Sequence, residues 1–589
     1  MSHPASRRQF LGRGLAALAA GLAGAPIARA AGGIRLGKAF LAPPRCIDTG
    51  ALSRFSSGPI APVAFRPSNS FFIDGIPFAD QWYGDDFNPA GTIPFHSAEN
   101  LFPGGVPPDP AESVDVVVVG GGLAGLATAF LLRHRDPVLF ELHRRVGGTS
   151  MGERWRGIEY SLGGAYFIAP DLGDDLYWLY RNLGIDRQVR VSPPTDDPVE
   201  IGGTIDPGFW QGLGLADDER AAFEQYAALV AHHTEQYPDI PLDEAADNQW
   251  IRDLDRRTLR EDITSRLTVP VPTRLQAAIQ GYCYSSFNAG WEEISAAAGW
   301  NFLAAEEYGR WVLPGGNAGL VDAIWQRLQG LESATPTNCA PQRLRTGCRV
   351  VDIRILGRDR VQVTYKGSDS AFRSLLARRV VLCTPKHVAR SMIHNWRQDD
   401  PERFELTYNV HTQAYVVANV LLSRAIRSDF YDLFMLRDGV FPDPPTNTLE
   451  PSTFRRAIDA VRGDFTRRAT VPNGVLTLYW PLPYPSGRFD VIFDHALTDF
   501  AEQIRPEINL LLSLLNLSRR DIRQIRLTRW GHAMPLARPH LLADGTLERL
   551  RAPYRDHIFF VNQDNWCLPA VETSLLEAFA MKDLIERSL

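Results

Sequence analysis

Residues 116–148 read VVVVGGGLAGLATAFLLRHRDPVLFELHRRVGG, and this stretch decides the fold. The apolar run Val116 to Val119 ends on Gly120-x-Gly122-x-x-Gly125. Leu123, Leu126, Ala127, Phe130 and Leu131 then recur at helical spacing, so a strand turns abruptly into a helix. In such a turn the first glycine makes the bend and the second lets the backbone approach a pyrophosphate. The third lets the helix pack closely on the strand. At the helix start, Leu123 and Ala124 belong to a terminus whose free N–H groups and dipole suit phosphate oxygens. Glu141 closes a second apolar run, where its carboxylate can accept hydrogen bonds from a ribose diol. The stretch predicts dinucleotide binding; the competing reading is a purely structural turn.

The continuation, Glu141-Leu142-His143-Arg144-Arg145-Val146-Gly147-Gly148-Thr149, resembles the E-x-x-x-R-x-G-G signature of the flavin amine oxidase and phytoene desaturase superfamily. The resemblance makes FAD the implied cofactor. It implies that Glu141 binds the adenosine ribose, while Arg145, Gly147 and Gly148 lie along the pyrophosphate and ribityl chain. Thr149 stands where the pattern usually has a basic residue. Gly163-Gly164 falls where the family passes its backbone beside the isoalloxazine ring, and Leu313-Pro314-Gly315-Gly316-Asn317 resembles the turn that leads back into the FAD domain. Gly347 to Ile353 resembles the strand whose valine, here Val350, offers its backbone to adenine, and Val380 to Pro385 the strand that ends the middle FAD segment. IFFVNQDNWCLPAVETSLLEAF resembles the last FAD motif, with Asp564 at the ribityl or pyrophosphate and Val571-Glu572 opening the helix under the flavin. Asn562-Gln563-Asp564 and Glu572-Thr573-Ser574 depart from the family's usual A-G-D and E-G-A. The N-x-D form and the AYVVANVLL segment are somewhat similar to bacterial spermidine dehydrogenase.

The resemblance implies an α/β fold. A Rossmann-type FAD-binding domain (glutathione reductase 2-like) is built from three chain segments, with an inserted α+β substrate domain. The expected boundaries are 113–182, 301–390 and 547–589 for the FAD segments, 183–300 for a helical substrate segment and 391–546 for a substrate-domain sheet. Residues 31–112, rich in Pro, Gly and Phe, read as an arm over the enzyme surface.

At 589 residues the chain has room for several domains. A net charge of −6 argues against a nucleic-acid partner. The six cysteines form no CxxC pair, so neither zinc nor a disulfide framework is indicated. Ser6-Arg7-Arg8-Gln9-Phe10-Leu11, a short apolar stretch and Ala28-Arg29-Ala30 match a twin-arginine signal peptide over residues 1–30. Export of the folded protein by the twin-arginine machinery to the periplasm is therefore expected. This route suits an enzyme that must take up its cofactor first.

A bound flavin accepts a hydride equivalent, and the protein supplies orientation and electrostatics. Many amine oxidases of this family hold a lysine near flavin N5. Of the four lysines here, Lys366 falls in an expected hairpin and Lys386 follows the Thr384-Pro385 turn; neither matches that place. His532 is the candidate catalytic residue, with His411 a weaker one, against the reading of a histidine bonded to backbone. Tyr166, Tyr479, Trp530 and Trp566 are candidates for an aromatic wall, against ordinary core. Cys567 could suggest a covalent flavin link, with plain packing the default. The leading reading is oxidation of an amine or polyamine, with the electron acceptor open. The alternatives are a desaturase or dehydrogenase of an apolar, carotenoid-like substrate, and a non-redox flavoprotein or assembly partner. Acidic groups among aromatics favour the amine; a long apolar tunnel favours the desaturase.

Overall fold

The computed structural model describes residues 58–63, 67–86, 101–192, 197–236, 248–306, 309–333, 342–437, 457–467, 471–482 and 486–589. The twin-arginine segment lies outside the described residues. The valine run forms the end of the strand Pro110–Val119 in a seven-stranded sheet. Its order is Leu344–Arg345, Val138–Phe140, Pro110–Val119, Phe372–Leu382, Arg360–Lys366, Arg349–Gly357, with Ile558–Phe560 also paired to Phe372–Leu382. The strands around the valines run parallel. Arg349–Gly357 and Arg360–Lys366 add an antiparallel meander, with Lys366 at its second turn.

A parallel strand covered on both faces must be apolar throughout rather than alternate, which explains the unbroken valines. Val116 and Val118 pack with the helices Leu123–Leu131 and Val571–Ser588, while Val117 and Val119 pack with Phe140, Val350 and Leu375. Every residue of Leu123–Leu131 is buried, so that helix shows no polar face.

A second sheet of ten strands is built around Thr412–Leu422, Gly474–Pro481 and Ile522–Pro535. Asp459–Arg462 and Asp432–Arg437 continue it beyond Gly474–Pro481. Side chains alternate between its faces. Val416, Ala418, Leu476 and Leu478 pack with Phe500, Ile508 and Leu511 of two covering helices. Tyr415, Val417 and Trp530 point the other way, onto Met151, Tyr160 and Leu162. A third core gathers the helices Asp217–Gln236, Leu259–Arg266, Thr273–Phe287 and Ala296–Glu306.

The arm does more than wrap the surface. Ser70–Ile73 and Ile76–Ala79 form a hairpin at the edge of the ten-stranded sheet, with Ile76 and Phe78 fully buried. Ile60–Pro62 pairs with Gly152–Trp155. The alternating apolar residues of that hairpin find a core only because a distant strand offers an edge. Glu153 and Arg526, both buried, form a two-point ion pair at 2.7 Å for each bond, and Tyr160 donates to the same carboxylate at 2.6 Å. This pairing ties the strand Gly152–Trp155 to the ten-stranded sheet.

Candidate functional site

The glycine turn is a backbone cradle. Gly120 has φ +108°, a conformation that L side chains avoid, and a Cβ on Gly125 would stand 1.8 Å from the Gly120 carbonyl oxygen. Gly122 meets only the Cα of Gly148, at 4.0 Å from its notional Cβ, so two glycines from separate loops face each other without side chains. Gly147 N–H donates to the Gly121 carbonyl at 2.8 Å and holds the two loops together. Gly122 caps Leu123–Leu131 without a side-chain bond, which leaves N–H groups of the first turn, at Leu123 and Ala124, to an external acceptor. Glu141 is buried and accepts from Gly121 N–H at 2.6 Å and His143 N–H at 2.7 Å. Burial pushes its carboxyl above the ordinary range, opposed by His143 and these N–H bonds. Its backbone is bonded to Arg345 and Cys348, which brings the strand carrying Val350 beside it.

The other end of the cradle is polar and buried. Asp564 is 1% exposed; its Oδ2 accepts from Lys386 N–H at 2.7 Å, and its Oδ1 has no partner among the described residues. Such an orphan acceptor needs a donor, and a ribityl hydroxyl is a suitable one. Lys386 is buried rather than on a flavin face. Its ammonium bonds Asn565, lies 4.2 Å from the Phe560 ring centre, and is pushed down to about 7 by burial. Val571–Ser588 starts at Val571 without a side-chain cap, and Glu572 accepts from Ile168 N–H at 2.7 Å. Arg145 Nη2 donates to the carbonyls of Pro59 and Gly152 at 2.5 and 2.6 Å, and its Nε is buried without a partner among the described residues. This cradle has the form that FAD requires: bare glycine backbone, an uncapped helix start, a buried ribose acceptor and an orphan carboxylate.

Gly163-Gly164 is clamped from the ten-stranded sheet. Tyr479 donates to the Gly163 carbonyl at 2.6 Å and Trp530 to the Leu162 carbonyl at 2.8 Å, while Asn317 N–H donates to Gly164 at 3.2 Å. Beside Tyr479 on the same sheet face lies Asp459, its cross-strand neighbour. Asp459 is 2% exposed; its Oδ2 accepts from Ser285 at 2.5 Å and its Oδ1 has no partner among the described residues. Arg310, 1% exposed, pairs with Asp197 at 2.5 Å and Asp432 at 3.4 Å, and lies over the rings of Tyr166 and Tyr431. Among the described residues, Asp197, Asp432 and Asp459 thus gather around the Arg310 guanidinium. Burial, then Asp432, pushes the Asp459 carboxyl well above its usual range, and burial does the same to the Tyr415, Tyr431 and Tyr479 hydroxyls. A buried carboxylate with an unpartnered oxygen attracts either a proton or a cation.

Tyr166, Tyr479 and Trp530 come together here. Trp566 does not: it bonds Glu577 at 2.6 Å within the helical core, beside buried Cys567. His532 stands apart from the acidic cluster. It bonds the Thr412 hydroxyl at 2.6 Å, packs against His387 with ring centres 3.9 Å apart at a tilt of 31°, and lines a different cavity with His411. Sequence reading passed over Asp459, Asp432, Tyr415, Tyr431 and Ser285. The one local signal was a lone acid in an aromatic run, Phe430-Tyr431-Asp432-Leu433-Phe434.

The model of the family described as flavin containing amine oxidoreductase matches residues 123–492. The oxidoreductase PigB of Serratia sp. is 20% identical over 557 residues, covering 85% of this chain and 78% of that protein. A carotenoid 3,4-desaturase of Haloarcula japonica is 25% identical over 188 residues, covering 29% of this chain and 35% of its own. A solved structure of putrescine oxidase bound to putrescine shares the fold, with a TM-score of 0.56 and 13% identity over 81% of this chain and 99% of that one.

Proposed function

The chain belongs to the flavin containing amine oxidoreductase family and is an FAD-dependent oxidoreductase; on that premise we propose that it oxidises an amine or polyamine. Bound FAD supplies the hydride acceptor. The observation that carries the substrate class is Asp459, a buried carboxylate whose Oδ1 has no partner among the described residues, set among the rings of Tyr415, Tyr431 and Tyr479. An ammonium group supplies that oxygen with a charged donor, and Tyr479, Tyr431 and Tyr415 offer it ring faces and apolar walls. The nitrogen must be neutral when its neighbouring C–H bond breaks. Asp459, its proton affinity raised, is better matched to an ammonium than an exposed aspartate would be. Tyr479 and Trp530 hold the Gly163-Gly164 backbone in place as the ring's neighbour. The putrescine-bound neighbour is consistent with a cationic substrate.

We further propose that residues 1–30 send the folded, flavin-loaded protein through the twin-arginine pathway to the periplasm. The test of the first reading is anaerobic titration of the purified flavoprotein with putrescine, spermidine and monoamines. Bleaching of the flavin by an amine is expected. Bleaching by an apolar polyene and by no amine would instead favour the desaturase reading. For export, Arg7→Lys combined with Arg8→Lys should retain flavin-loaded protein in the cytoplasm; undiminished periplasmic protein would refute it.

A further inference from the structure

A cavity of about 720 Å³ lies between the helix Lys386–Met392, the segment after it and the ends of the strands carrying Thr412 and His532. This is the size range of small-molecule sites. Its wall is basic: Arg390, Arg397 and Arg488 line it, with the imidazoles of His387, His411 and His532. The lining carboxylate, Asp352, is already held by Arg354 at 2.6 Å and His394 at 3.1 Å. The Arg390 guanidinium carbon lies over the Tyr408 ring, 3.8 Å from its centre, with Nη1 buried and without a partner among the described residues. His387 Nδ1 is likewise buried and unpartnered among them. The buried Arg390 N–H calls for an acceptor, the neutral His387 imidazole needs a hydrogen-bonding partner at Nδ1, and a guanidinium beside a ring can present its N–H groups to a carboxylate or phosphate. Single-sign lining of a concave wall concentrates anions.

We propose that this cavity is a binding site for a small molecule bearing carboxylate or phosphate groups, separate from the acidic pocket that would take an amine. Arg390 and Arg488 supply the charge, and the packed pair His387 and His532 forms one wall. The helix that carries His387 and Arg390 also presents Lys386 N–H to Asp564, so the anion and the flavin cradle share one short element. The proposal stands whether or not amines prove to be substrates.

The test is isothermal titration of the flavin-loaded protein with citrate for the carboxylate source and pyrophosphate for the phosphate source. One-to-one binding of at least one of them is expected. Arg390→Gln and Arg488→Gln should each weaken that binding about 10-fold or more, the effect of losing a charge-assisted hydrogen bond, with flavin content and melting temperature as controls for folding. If Arg390→Gln fails these controls, Arg488→Gln carries the test alone. No saturable binding of either anion to the unmodified protein at millimolar concentration would overturn the proposal. So would affinities unchanged in the folded variants.

Discussion

Replacing Asp459 by Asn should lower amine turnover while leaving the protein as stable as before, or more so. The substitution keeps the shape and an acceptor for Ser285, which bonds the carboxylate at 2.5 Å. It removes a charge whose Oδ1 has no partner among the described residues, while Arg310 is bonded to Asp197 and Asp432. Taking one partner from a buried charge pair costs about 3–5 kcal/mol. At ~1.4 kcal/mol per tenfold, kcat/KM for an amine should fall by between about 10²-fold and about 4 × 10³-fold. Stability moves the other way. Burial and Asp432 raise the native proton affinity of Asp459 above that of an unfolded aspartate. The native state therefore binds more protons than the unfolded chain once pH exceeds about 4, and stability is lost as pH rises through that window. Asn does not titrate, so the melting temperature of Asp459→Asn should match the unmodified protein near pH 4 and exceed it increasingly toward neutrality. Stopped-flow flavin reduction and calorimetry across pH 4–8 measure both halves. A variant that melts lower at neutral pH while reducing its flavin at the original rate would refute the reasoning, because Asp459 would then be a structural carboxylate.

Gly125→Ala should abolish flavin retention, since the new Cβ would lie 1.8 Å from a backbone oxygen of the same turn; a yellow, stoichiometrically loaded variant would contradict the cradle. Arg526→Met leaves the buried Glu153 carboxylate unanswered and should cost about 3–5 kcal/mol in urea unfolding, with Glu153→Gln added in the same chain recovering part of it. His532 is pushed down to about 4 by burial, then by Arg488 and Arg390. The unfolded chain thus binds more protons between about pH 4 and 6.5, and stability falls as pH drops through that window. His532→Gln should flatten this slope in acid melts, and an unchanged slope would remove His532 as its source.

What could be read from the chain alone was what local backbone geometry dictates. The Gly120–Gly125 turn, the buried helix behind it and the two N–H bonds to the Glu141 carboxylate depend on residues within about one βαβ unit, where spacing translates directly into position. Arg145 shows the limit: its type and spacing matched the family, but did not tell that its Nη2 meets carbonyls from Pro59 and Gly152. His532 shows another. Residue type made it a candidate, while the register irregularity between Gln413 and Tyr415 opposite it accompanies its turn toward Thr412 and His387.

The acidic pocket was illegible for a plainer reason. Asp197, Ser285, Arg310, Asp432 and Asp459 belong to separate elements, and each alone looks like an ordinary polar residue. They become a site only because the paired strands Asp432–Arg437 and Asp459–Arg462 turn Asp432 and Asp459 to one face, where Ser285 from a helix and Arg310 from another sheet reach them. The sequence by itself determined the nucleotide cradle, because turn conformation and helix start are properties of consecutive residues. Tertiary structure alone decided which charged groups are buried together, because burial and proximity are sums over distant parts of the chain.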